Sequence, residues 1–356
     1  MGNIGEHLGY YESIPNTIMK TVAVSVILAV LIAGCFSCGQ INGPNDEIIN
    51  DVNNLIAFVA HFHEEDPTSS GVESYLVLSD FNDYKLVLNR DIASGNPKFS
   101  RDKTKIVGGG ASLSVYDIQK DTVEQLYYRT DGDELFQLEG YSIVWNYDNS
   151  GFYFTLSEPH WYTSQSIFFY TFSDQTVEQI YAGPITSIVP LELLDKNTLL
   201  VYSYDQSNID FPVGFYKMDI ISRELTLINN PYLRNMIERN SKGVLFLDAF
   251  DWNEELELLV CSERHPNLDS NIISVTDLDG TYYKSYTSGD EFIAYSPVWG
   301  PDGKTIIFST HPYSTGHREE IWMIDVDKGR LLARIEEDDI KNTRNQNAMA
   351  LITPDF

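Results

Sequence analysis

The stretch VWGPDGKTIIFST, Val298 to Thr310, reads as strand, tight turn, strand. Trp299 is followed by a corner of Pro301, Asp302 and Gly303, then by the apolar alternation Ile306, Phe308. Asp-Gly between apolar runs marks a hairpin, because a primed turn needs residues that tolerate positive φ. The same template recurs elsewhere in the chain: an aromatic residue, a polar turn with Asp, then apolar residues seven and nine positions on.

FSRDKTKIVG carries it with Phe99, Asp102 and Ile106, and WNYDNSGFYF with Trp145, Asp148, Phe152 and Phe154. WNEELELLVC keeps the spacing through Trp252, Leu259 and Cys261, although Glu255 replaces Asp and the glycine is gone. LELLDKNTLLVY is a degraded copy whose turn falls at Asp195 and Lys196, with the register open by one residue. After each copy comes a second strand pair, as in SIFFYTFSDQTVEQIY and EIWMIDVDKGRLLARI. Four strands per unit, repeating about every 46 to 60 residues, is the pattern of propeller blades.

The chain ends extend the pattern. AMALITPDF ends as half a copy, and NNLIAFVAHF begins the domain as the other half, with Ile56 and Phe58 in the slots of Ile306 and Phe308. These halves predict one blade shared between the termini, its innermost strand supplied by the C-terminus, which would remove exposed sheet edges. The expectation is an all-β, six-bladed β-propeller of four-stranded antiparallel blades, closed by that shared blade and spanning residues 50–356. Two inserts interrupt the spacing. NPYLRNMIERNSKG (230–243) has helical spacing of Leu233, Met236 and Ile237, and EEDDIKNTRNQN (336–347) is polar throughout. Both follow an outermost strand, where a decorative loop and a partner-binding element are the alternatives.

The consensus W-S-P-D-G-K-x-I-x-F, followed by a strand such as EIWMIDVD, resembles the TolB-type, WD-repeat-like propeller repeat. That repeat occurs in TolB and in the propeller domains of prolyl oligopeptidases. The resemblance covers about residues 50–356, is clearest at 299–308 and 145–154, and implies six blades; a fold does not specify a function.

The N-terminus reads MKTVAVSVILAVLIAGC from Met19 to Cys35: one lysine, an apolar run, small residues, then cysteine. That apolar run is shorter than the roughly 20 residues a membrane span needs, and it fits a signal peptide over residues 1–34 with the true start at Met19. LIAGC resembles the lipobox of bacterial lipoproteins, which would make Cys35 the lipidated residue, with 35–49 as a tether. An uncleaved anchor running through Phe36 is the other reading. Either way the domain would lie outside the cytoplasm, at the cell envelope on the outer or cytoplasmic membrane.

The chain of 356 residues carries a formal charge of −28, of which −27 remains after residues 1–34 are removed. So acidic a domain disfavours nucleic acid and anionic membrane surfaces as partners. No G-x-S-x-G, P-loop, H-E-x-x-H or sialidase Asp-box occurs, which points away from hydrolase chemistry. Six of seven histidines follow the second strand of a blade: His61, His63, His160, His265, His311 and His317. They leave a transition-metal site on His61, His63, His265 and His311 as an alternative, with Glu64, Glu158 or Glu263 nearby. Such a site would suit a metal-dependent lyase or hydrolase on acidic glycans. Acidic turns at Asp277 and Asp279, Asp325 and Asp327, and Asp131 and Asp133 raise calcium, but Asp and Gly form turns there by themselves. The binding-face candidates are His160, Trp161, Tyr162, His265, His311 and Tyr313. Together these features predict a monomeric, membrane-tethered, non-enzymatic scaffold without a cofactor, binding a protein or peptide partner in the envelope.

Overall fold

The computed structural model describes residues 56–63, 72–79, 81, 84–88, 98–108, 112–118, 120, 122–129, 135–156, 166–183, 187–204, 210–239, 250–264, 271–286, 292–312, 320–336, 339 and 349–351. The segment 1–49, with Cys35 and the acylation motif, lies outside the described residues. No helix among the described residues is long and apolar enough to cross a membrane.

Three strands come first, β1 (Ile56–His63), β2 (Val72–Ser79) and β3 (Tyr84–Leu88). A blade follows from β4 (Lys98–Phe99), β5 (Lys105–Gly108), β6 (Ser114–Asp117) and β7 (Thr122–Gln125). A separate hairpin, β8 (Tyr127–Arg129) and β9 (Leu135–Gln137), leads into the second blade. That blade is β10 (Tyr141–Trp145), β11 (Gly151–Thr155), β12 (Ile167–Thr171) and β13 (Thr176–Tyr181). The third is β14 (Ile188–Asp195), β15 (Thr198–Ser203), β16 (Gly214–Asp219) and β17 (Leu225–Leu227), followed by helix α1 (Pro231–Arg239). The fourth is β18 (Phe250–Asn253), β19 (Leu258–Arg264), β20 (Asn271–Thr276) and β21 (Tyr283–Tyr286). The fifth is β22 (Phe292–Trp299), β23 (Thr305–Pro312), β24 (Glu320–Asp325) and β25 (Leu331–Glu336), after which comes β26 (Met349–Leu351).

The all-β propeller of antiparallel four-stranded blades is present, but the blade count differs from the sequence expectation: among the described residues there are five blades, not six. Each is made of four consecutive strands, and among the described residues four apolar cores each fill the space between two neighbouring blades in chain order. The strands nearest the termini form a further four-stranded sheet, in the order β26-β1-β2-β3. Its inner ladder is short. Among the described residues the three-residue β26 meets β1 through Ala60↔Leu351 and His61↔Met349, with a register break between them. The stretch Ile352–Phe356, expected to supply its innermost strand, lies outside the described residues.

Within the blades the hairpin template holds. Trp299 pairs with Ile306, and Gly303 sits at φ 61. The turn is longer than a primed two-residue one: the Gly300 amide donates to the Thr305 carbonyl at 2.9 Å, and that of Gly303 to Gly300 at 3.0 Å. Asp302 Oδ1 accepts from the amides of Lys304 (2.9 Å) and Thr305 (3.0 Å), so its carboxylate organises the turn. The degraded third copy forms one of the longer ladders, Ile188↔Ser203 through Asp195↔Thr198, and two register shifts account for its blurred spacing.

The template tryptophans join blades. Trp145 Nε1 donates to the Lys98 carbonyl at 2.7 Å, and Trp252 Nε1 to that of Leu194 at 3.3 Å. In each case the acceptor lies in the inner strand of the preceding blade. At Trp299 the link changes hands: its backbone amide donates to Asp251 Oδ2 at 2.6 Å, and its indole nitrogen has no partner among the described residues.

A candidate binding surface on two inserted elements

Four antiparallel strands in sequence put the first-to-second and third-to-fourth turns on one edge of a blade. The second-to-third loops and the crossovers to the next blade fall on the other edge.

On the turn edge, side chains are engaged with one another. Lys98 Nζ in the first blade reaches Glu192 Oε1 in the third at 3.1 Å. Arg101 pairs with Glu254 of the fourth blade, and its guanidinium lies 4.8 Å from the Tyr147 ring centre in the second. Its amide donates to Asn149 Oδ1 at 2.8 Å. Cations of one blade thus tie blades that are not its neighbours, so side chains span the axis on this edge. The acidic turns behave as turn formers. Asp325 Oδ1 accepts from the Lys328 amide at 2.8 Å, and that amide, helped by the Lys328 side chain, lowers its carboxyl below the ordinary value. Asp277 accepts from the amides of Thr281 (2.9 Å) and Tyr282 (3.0 Å). Burial would raise its carboxyl, but these bonds and the Thr281 hydroxyl outweigh it and lower it.

Two elements lie outside the blades, each inserted between one blade and the next and each bonded to strand ends at both edges. Helix α1 begins at Asn230, whose buried side chain caps it: Oδ1 accepts from the amides of Tyr232 (2.7 Å) and Leu233 (3.2 Å). Its Nδ2 donates to the Asp277 carbonyl (2.7 Å) and Thr276 Oγ1 (3.1 Å), fixing the cap to the fourth blade. Pro231 suits the first helical position, where no amide donor is needed. Leu233 and Met236 enter the core between the third and fourth blades beside Cys261 and Phe250. At the other end of the helix Arg239 Nη1 pairs with Glu263 Oε2 at 3.0 Å, and Glu263 is 3% exposed. Its other oxygen accepts from Ser274 and Tyr283. Tyr283 stacks on Tyr232 of the helix, rings 4.3 Å apart and 10° from parallel. Burial first, then the Glu263 carboxylate, raise the Tyr283 phenol above its ordinary value. The same two causes push the Cys261 thiol well up, which makes it a packing residue and not a nucleophile. Glu263, weighed as a metal-ligand neighbour, has both oxygens taken by protein donors. The outward face of the helix presents Tyr232, Arg234, Asn235 and Glu238.

The second element is the hairpin β8–β9, which the sequence reading missed. Its base is fixed: Leu126 and Leu138 are buried, the Leu138 amide donates to the Leu126 carbonyl at 2.9 Å, and Leu113 bonds both. Beyond the base, Tyr127, Leu135 and Phe136 are exposed, Leu135 at 54% and Phe136 at 45%. Tyr128 packs on Phe136 with ring centres 5.9 Å apart. The signal was present in the sequence, since Asp131-Gly132 lies between LYYR and LFQL.

Of the sequence-predicted site residues, His61 and His63 lie in β1, with His63 at its end opposite Val72, and His311 lies near the end of β23 opposite Ile293. His160, Trp161, Tyr162, His265, Tyr313 and His317 lie outside the described residues. Among the described residues no group of three or more His, Cys, Asp or Glu side chains is gathered about a point.

No protein-family model and no curated protein matches the sequence. Among solved structures, TolB from Acinetobacter baumannii matches with a TM-score of 0.57 at 15% identity, over 86% of this chain and 67% of that chain. A putative TolB from Agrobacterium tumefaciens gives 0.50 at 11% identity, over 70% of this chain and 83% of that one. A nidogen/laminin complex gives 0.52 at 8% identity, over 85% and 97% respectively. The likeness is one of fold: a TolB-like β-propeller.

Proposed function

We propose that this propeller is a non-enzymatic scaffold that binds a protein or peptide partner through its two inserted elements, helix α1 and hairpin β8–β9, held at a membrane of the bacterial envelope by a lipid on Cys35. The observation that carries the reading is the contrast between the first-to-second turns and the inserted elements. Those turns are tied up by Lys98–Glu192 and Arg101–Glu254, whereas the inserted elements are a rigidly anchored helix and an anchored hairpin with exposed Tyr127, Leu135 and Phe136. Exposed aromatic and aliphatic side chains on fixed elements are what a partner surface needs, because little conformational freedom is lost on docking. One structural neighbour is a chain in a nidogen/laminin complex, an assembly of proteins. The sequence supports the tether through LIAGC at Leu31 to Cys35.

The test is chemical crosslinking of the full chain in its native membranes, followed by mapping of the linked residues. The reading expects one recurrent partner linked within 127–137 and 231–239, and release of the chain to the soluble fraction on Cys35→Ser. Links confined to the turns at 146–150 and 300–304 would contradict it.

A further inference from the structure

The β8–β9 hairpin is a two-stranded sheet, and β9 is its edge: among the described residues it pairs with no strand but β8. On the other side β8 is held to the second blade, the Arg129 amide donating to the Gln175 carbonyl at 3.0 Å. The outward groups of β9 follow from the ladder. Leu126–Leu138 is a hydrogen-bonded pair, so by the two-residue alternation of antiparallel strands Tyr128–Phe136 is the next. The amides and carbonyls of Leu135 and Gln137 therefore point away from β8. All three residues of β9 are exposed. A short edge with unpaired main-chain groups beside apolar side chains is a template for another strand.

Charge selects the occupant. A second copy of this chain would bring −28 against −28, so self-pairing is opposed. The strand entering the hairpin carries exposed Glu124, and Glu139 follows β9. We infer that β9 accepts an extended, cationic segment of a partner protein as a third strand, with alternate apolar residues of that segment on the face of Phe136. This rests on the inserted elements being the partner-binding surface.

The probe is a blocked peptide, acetyl-KVKVKVK-amide, with acetyl-EVEVEVE-amide as control, titrated against the full chain. Amide exchange at Leu135 and Gln137 is followed at the same time. Gln137→Pro removes one outward donor without touching the bonds to β8, since proline is tolerated where an edge amide faces solvent. Phe136→Asp removes the apolar contact, and Gln137→Ala keeps the amide. The inference expects binding of the lysine peptide only, slowed exchange at both amides, about tenfold weaker binding in Gln137→Pro and Phe136→Asp, and unchanged binding in Gln137→Ala. Equal binding of both peptides, binding indifferent to Gln137→Pro, or concentration-dependent dimerisation through 135–137 would each overturn it. So would persistence of partner crosslinks from Tyr232 in a chain that binds neither peptide, an outcome that leaves the partner-surface reading standing and removes only the edge.

Discussion

Glu257 holds φ 53 in the turn of the fourth blade, one template position beyond the slot of Gly303 (φ 61) in the fifth and Asn149 (φ 59) in the second. A side chain with a Cβ costs about 1–2 kcal/mol in the left-handed region, and asparagine bears it better than glutamate. Glu257→Gly should therefore raise stability by about 0.5–1 kcal/mol, net of the extra freedom glycine gives the unfolded chain. Gly303→Ala should cost about 1 kcal/mol. Urea denaturation of the three proteins checks both signs. The turn carboxylates set a pH window. The Ser150 amide and hydroxyl lower Asp148, and the Lys328 amide lowers Asp325. Groups with depressed folded values contribute stability that is present above the unfolded value, about 3.9, and lost as pH falls through the folded one. Stability should drop below about pH 4, and Asp148→Asn with Asp325→Asn should flatten that limb of an acid titration.

At the scale of elements, α1 is held by a charge pair with one buried member. Glu263 is 3% exposed, while the Arg239 side chain is 33% exposed, so solvent screens one side only. Removing the arginine strands a carboxylate away from water, whereas removing both charges does not. Arg239→Met should cost about 2–3 kcal/mol, and the double variant Arg239→Met, Glu263→Gln should recover part of that loss; a double-mutant cycle in urea measures it. The helix itself was legible, since the spacing of Leu233, Met236 and Ile237 behind Pro231 is a helical one, and Leu233 and Met236 are the residues buried. Its anchor was not. Glu263 lies 24 residues beyond Arg239 and Tyr283 a further 20, so their meeting depends on blade packing that no local period encodes. The β8–β9 hairpin was legible but masked by habit: Asp131-Gly132 reads as an acidic turn until LYYR and LFQL are read as its strands. The bulges of β10 and β22, with Ser142 at φ 55 and Ser296 at φ 46, are written in the shared Y-S-x-V-W of 141–145 and 295–299.

For the whole molecule, the repeat revealed the blade but misjudged the count, because a half-repeat at each end looks like a blade in sequence. The structure gives those ends a sheet whose inner strand is three residues long, attached by two pairs, beside five blades of consecutive strands. The charge of −28 also acts at this scale, through self-repulsion in the compact state. Raising salt from about 10 to 200 mM shortens the Debye length from about 30 to below 10 Å, and the unfolding temperature should rise by about 2–4 °C in calorimetry. Where a partner docks is the larger matter, since the proposed function depends on the inserted elements meeting it. A photo-activated crosslinker placed at Tyr232, on helix α1, and separately at Ile221, in the third-to-fourth turn of the third blade, compares the two sites in cells. Ile221 is 77% exposed and Tyr232 36%, so exposure alone favours Ile221. The account predicts a partner adduct from Tyr232 and none from Ile221; an adduct from Ile221 alone would contradict it.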